Sequence, residues 1–103
     1  MKSITSAAAE FDLAEISLEL ERRTSGHGFA FLAAAERTFE DLAQSPRAGR
    51  VWEESGDAEP PIRIWRVDTL PHYLIFYCVF EDHLRVLRIC HVRRNLDIDA
   101  VIS

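Results

Sequence analysis

One histidine and a set of arginines are the residues of this chain whose types could support chemistry. His91, near the end of an apolar segment, could act as a general acid or base if a phosphate were clamped beside it. Arg63, Arg66, Arg88 and Arg93 are the side chains able to form such a clamp. The ordinary reading of His91 is structural and is preferred: a lone histidine without a partner base more often bonds the backbone, here orienting the C-terminal tail. Arg88 lies between apolar neighbours, so it must either pair with an acid or face an open surface. Glu15 and Glu19 read as a solvated helix face rather than a catalytic carboxylate pair. The four histidines show no metal-ligand spacing, and there is no Gly-rich phosphate loop or nucleophile elbow, so no metal and no cofactor is expected.

Aromatic side chains are a second resource. Phe29, Phe31, Trp52 and Trp65 exceed what one small core obviously needs, and Trp and Arg are enriched where proteins bind proteins. Phe29 is expected in the core, with Trp65 open to either role. Arg93-Arg94 is a basic pair of low specificity.

The elements that must position these groups follow from periodicity. Ser6 is a plausible N-cap for a helix over Ala7 to Arg23, with Ala9, Leu13, Ile16 and Leu20 on one stripe and Asp12, Glu15, Glu19 and Arg22 opposite. Two glycines in Thr24 to Gly28 then turn the chain into a second helix from about Phe29 to Ser45, with Phe29, Leu32, Ala35, Phe39 and Leu42 inward. Pro46 ends it. Arg47 to Pro61, acidic and rich in Gly and Pro, reads as a mobile loop that could begin with a short strand at Arg50-Val51-Trp52. Strands are expected near Ile62–Val67, His72–Phe80 and Leu84–Val92, forming an antiparallel meander. The middle one is apolar throughout from Tyr73 to Phe80, so both its faces should be covered. Asp97 to Ile102 reads as a short helix or an extended tail. With a short first strand at Ile4-Thr5, the fold class is α+β: a helix hairpin packed on a small antiparallel sheet, in the order β-α-α-β-β-β, leaving the other sheet face partly open.

Composition bounds the function. At 103 residues the chain is one domain, 1–103, with a single core. The net charge of -5 is uneven, with 12 acids against 6 bases in residues 1–60 and 5 against 6 in residues 61–103. Acidity argues against non-specific nucleic-acid binding. The N-terminus carries no apolar signal-like run and the longest apolar stretch is Tyr73 to Phe80, so a cytoplasmic protein without a membrane span is expected. If Phe80 faces Leu84, Cys78 faces Val86 and Cys90 faces Leu74, an offset too long for a disulfide. Two buried structural thiols are expected.

Particular residues within that order carry a resemblance. Ala8 is followed by Asp12-Leu13-Ala14-Glu15-Ile16, and the second helix closes with Phe39-Glu40-Asp41-Leu42-Ala43-Gln44-Ser45-Pro46-Arg47-Ala48-Gly49. Arg66-Val67, Tyr73-Leu74-Ile75-Phe76-Tyr77 and Val86 through Arg94 continue it. Over about Ile4 to Leu96 the chain resembles the ParE/RelE toxin superfamily, and its ParE branch in particular. The stretch Val51 to Pro60 is longer and more acidic than the family pattern.

The resemblance implies the toxin of a type II toxin–antitoxin system, working by protein binding. Its ParE branch inhibits DNA gyrase and is neutralised by a ParD-like antitoxin. The faces it would use include Trp65, Arg63, Arg88, Arg93 and Arg94. The RelE branch instead implies a ribosome-dependent mRNA endoribonuclease, for which Arg66, Arg88 and His91 would be the catalytic residues. Val92 follows His91, no Tyr occurs after Tyr77 and the chain has one Lys, which favours the ParE branch. A degenerate, non-toxic binding module is a third reading.

Overall fold

The computed structural model describes residues 1–102. The chain runs β1 (Lys2–Thr5), α1 (Ala7–Arg23), α2 (His27–Gln44), β2 (Arg50–Val51), a 3-10 turn at Glu53–Ser55, β3 (Arg63–Val67), β4 (Leu70–Val79), β5 (His83–His91) and α3 (Ile98–Ile102). The expected order is met, and Arg50-Val51 does form a short strand. The five strands make one sheet in the order β1-β5-β4-β3-β2. Strands β2 to β5 are the antiparallel meander, and β1 joins parallel to β5, with Lys2 opposite His83 and Thr5 opposite Val86. The two helices thus carry the chain from one sheet edge to the other.

Ser6 separates β1 from α1. Its N–H donates to Val86 O at 2.9 Å, which extends the sheet, while its Oγ accepts from Ala9 N–H at 3.0 Å, which caps the helix. Ala9, Leu13, Ile16 and Leu20 face the core as expected. Asp12 does not belong to the solvated face on which its spacing put it; it is buried.

The phase of α2 also differs from expectation. Its buried residues include Phe31, Ala34, Ala35, Thr38, Phe39 and Leu42, whereas Phe29 is 79% exposed and Leu32 40%. The cause is Gly28. An added Cβ there would collide with the backbone O of Ser17 in α1, so the helices touch at Gly28 and the neighbouring Phe29 is turned outward.

Both faces of the sheet are covered. Phe31, Phe39, Leu42, Ile75, Tyr77 and Ile89 lie in the core beneath the helices. On the opposite face Trp52, Ile62, Ile64, Phe76, Cys78 and Val101 form a second core. The residues of β4 alternate between the two, which explains why it is apolar throughout. The segment after Pro46, expected to be mobile, covers the second face through Trp52, whose ring meets Phe76 edge-on at 5.0 Å. Ser55 of the same segment is buried, its N–H donated to Trp52 O at 3.0 Å. Val101 of α3 adds to this cover, and the face stays open only in part, along β3 where Arg66 is exposed and Leu74 half-buried.

The β4–β5 register begins as expected, with Tyr73 opposite His91 and Leu74 opposite Cys90. A bulge then makes Leu87 the extra residue, so Cys78 faces Arg85 instead of Val86. Both cysteines are buried and free, in agreement with the expectation.

Candidate functional site

Strand β5 outruns β1. Beyond Val86 its edge loses its neighbour, and buried polar backbone must find other partners. The hydroxyl of Ser6 donates to Leu87 O at 2.9 Å, and the Asp12 carboxylate accepts from Ile89 N–H at 3.0 Å. Arg88 completes the arrangement with Nε to Asp12 Oδ2 at 2.7 Å and Nη2 to Oδ1 at 2.9 Å. Its remaining nitrogen, Nη1, donates to Ala100 O of α3 at 2.9 Å. The hydrogen bonds that Arg88 donates to Asp12 hold its guanidinium above the ordinary pKa. Of the two outcomes open to Arg88, pairing with an acid is the one adopted.

His91 ends the same strand. Its Nδ1 accepts from the Arg93 N–H at 3.1 Å, and its ring stacks on His72 and meets Tyr73 edge-on. This arrangement fixes the turn that leads to the C-terminal segment. Beside it lies an open groove of about 450 Å³ lined by Glu15, Glu19 and Arg22 of α1 together with Tyr73, His91 and Arg94. Arg93 is exposed just beyond the strand.

The other sheet edge is shaped differently. An open groove of about 600 Å³ runs along β3, lined by Arg50, Ile64, Trp65, Arg66 and Leu74 and closed on the helix side by Asp41. Trp65 is 41% exposed there. Arg66 Nη1 donates to Pro71 O, tying β3 to the turn before β4, and Arg63 Nη1 donates to Gly49 O at 2.8 Å. Among the described residues Arg50 and Arg66 form no ion pair.

Tyr77 supports this edge from below. Its hydroxyl donates to Pro46 O at 2.8 Å and accepts from Gly49 N–H at 2.9 Å, fastening the end of α2 to the start of β2. Burial pushes the Tyr77 hydroxyl above its ordinary pKa.

The residues singled out in the sequence therefore divide. Trp65 and Arg66 share the β3 groove, and Arg63 braces its β2 side. His91 and Arg94 share the α1 groove, while Arg88 is engaged between α1 and α3 and lines neither. Arg66, Arg88 and His91 do not meet around one cavity. Sequence reasoning missed Arg50 and Asp12. Only Asp12 left a signal, since an arginine among apolar neighbours requires an acid from whatever packs over it. No group of three or more His, Cys, Asp or Glu side chains among the described residues could hold a metal ion.

No helix among the described residues is long and apolar enough to cross a membrane. Comparison with curated proteins found no match. Residues 4–96 match the model of the family described as the ParE toxin of the type II toxin–antitoxin system, parDE. That match spans nearly the whole chain, from β1 through the turn after β5, and includes every element of both grooves. The chain belongs to the ParE toxin family of type II toxin–antitoxin systems.

Proposed function

We propose that the chain is a cytoplasmic toxin that inhibits DNA gyrase by binding it, and that a ParD-like antitoxin neutralises it by covering its exposed surface. The observation that carries this reading is the family match over residues 4–96. Two features of the geometry support a binding mode over a hydrolytic one. The guanidinium of Arg88 is already held by Asp12 and Ala100, and His91 Nδ1 is taken by the Arg93 N–H. A phosphate clamp with an acid or base beside it would need these groups, with Arg66, around one cavity. Trp65, Arg63, Arg66, Arg93 and Arg94 instead present aromatic and cationic surface of the kind found at binding hot spots. Arg88 contributes by holding the β5 edge in shape.

The test is expression of the lone chain from a tightly repressed promoter, following growth, plasmid supercoiling and transcript integrity together. Growth arrest with lost supercoiling and intact transcripts is expected. Normal supercoiling overturns the gyrase reading. Cleaved transcripts would transfer the activity to an endoribonuclease using Arg66, Arg88 and His91, and unimpaired growth would leave a non-toxic binding module.

A further inference from the structure

The edge of β3 next to β2 is only partly paired. Trp52 N–H donates to Ile62 O at 2.8 Å, which sets the phase of the ladder. In an antiparallel pair, alternate residues direct both backbone groups to the same neighbour, so Ile62, Ile64 and Arg66 present their N–H and C=O toward the β2 side. Arg50 meets Ile64. Continuing that register would bring Ala48 opposite Arg66, but the Ala48 N–H is donated to Ser45 O at 3.0 Å in the turn that ends α2. Strand β2 stops at Arg50, and Arg66, which has no β2 residue opposite it, lines the groove of about 600 Å³.

We infer that this unpaired edge takes an extended, carboxylate-bearing segment of the antitoxin as a short added strand centred on Arg66. The inference rests on the chain being a toxin held by a protein antitoxin. An unpaired strand edge is a template for another chain, and the main chain supplies affinity while alternate side chains supply selectivity. The selectivity here is legible from the faces. Arg50 lies directly opposite Ile64 and so shares the face of Ile64 and Arg66. That face is cationic, with neither arginine in an ion pair among the described residues. Trp65 stands on the other face, where Asp41 of α2 closes the groove. Acidic side chains of the segment therefore belong on the arginine face and apolar ones on the Trp65 face, an acidic-apolar alternation. A second copy of this chain fits poorly. Pairing two β3 edges about Arg66 would set each Arg66 opposite its own copy, and like charges directly opposite are destabilising.

The probe is the small protein encoded beside this chain's gene, added to the full chain. Amide hydrogen exchange and calorimetric titration are read together. Protection of the Arg66 amide in the complex is expected, with about tenfold weaker binding to Arg50→Glu at low salt and a smaller difference at high salt. The Arg50 side chain makes no hydrogen bond or ion pair among the described residues, and its backbone pairing with Ile64 does not depend on the side chain, so this variant keeps its fold. A complex that leaves the Arg66 amide exchanging as in the free chain, or that binds Arg50→Glu unchanged, overturns the strand addition and leaves the antitoxin reading intact. Failure of the neighbouring protein to bind the unaltered chain overturns both.

Discussion

Arg88 grips Asp12 through two parallel hydrogen bonds, at 2.7 and 2.9 Å, where β5 continues past the end of β1. Asp12 is 4% exposed, and the same carboxylate accepts the Ile89 N–H. Asp12 thus serves as the missing neighbour of the sheet edge, and Arg88 neutralises it. Removing one partner of a buried pair leaves a charge without compensation and costs about 3–5 kcal/mol. Asp12→Ala additionally orphans the Ile89 N–H. The expected result is a loss of that size in urea unfolding for Asp12→Ala. The double variant Asp12→Leu/Arg88→Met should lose less than the sum of the single losses. Additive losses would mean that the two side chains do not act as a unit.

Gly49 lies under the Tyr77 hydroxyl. A Cβ at Gly49 would come within 2.5 Å of that oxygen and 2.6 Å of the backbone O of Ile64. The second clash is with a strand backbone that cannot swing aside. Gly49→Ala is expected to destabilise by about 1–3 kcal/mol through overpacking. Tyr77→Phe should cost about 1–3 kcal/mol, because the Gly49 N–H loses a buried acceptor. Both variants also unfasten the start of β2, so amide exchange at Arg50 and Val51 should accelerate along with the global loss. Unchanged exchange at β2 would separate Tyr77 from that strand.

Much of this architecture can be read from the residues. Ser6 and the Ala9, Leu13, Ile16 and Leu20 stripe define α1 from Ala7 to Arg23, because capping and periodicity are local. The unbroken apolar run of β4 announces a strand covered on both faces. What escaped was set by tertiary contact. The phase of α2 depends on Gly28 pressing on α1, and the cover of the second sheet face depends on Trp52 and Val101, which belong to apolar stretches too short to show a period. The Leu87 bulge has no sequence signature. At the candidate site, the sequence leaves Trp65 open to core or surface and offers Arg66 only as an arginine for a phosphate clamp, so their sharing of one groove is not legible from it. Nor is the commitment of Arg88, because its acid lies 76 positions away.

Glu21 caps a helix that is not its own. The N-cap of α2 is Gly26, with φ 90° and no side chain to offer the first turn. The Glu21 carboxylate, in the last turns of α1, accepts from Gly26 N–H at 2.8 Å and from Gly28 N–H at 3.0 Å. These two bonds, the Gly26 bond being the stronger cause, hold its pKa below the ordinary value. A depressed folded pKa stabilises above the unfolded value and is lost as pH falls through the folded one. Glu21→Gln should therefore lower the Tm at pH 7, and the deficit should shrink below pH ~4 as the native carboxylate protonates. A deficit independent of pH would assign the effect to side-chain shape instead of charge.

The two thiols behave oppositely to a redox pair. Burial, reinforced by the nearby Asp12 carboxylate, pushes Cys90 from 9.0 up to about 11, and burial raises Cys78 as well. Only the thiolate is nucleophilic, so both should resist alkylation in the native chain at pH 8 and react readily in denaturant. The same shift has a stability consequence. A folded pKa raised above the unfolded one stabilises at lower pH, and that contribution disappears as pH rises from the unfolded value through the folded one. For Cys90 the window runs from 9.0 to about 11. Between those limits the stability of the unaltered chain should fall more steeply with pH than that of Cys90→Ala, measured by urea unfolding at each pH. Cys90→Ala also leaves a small cavity, so its absolute stability is lower at neutral pH, and the slope is the quantity that reports on the thiol. Parallel slopes would place the ionising group elsewhere, with the Tyr77 hydroxyl, also raised by burial, the next to replace, by Phe.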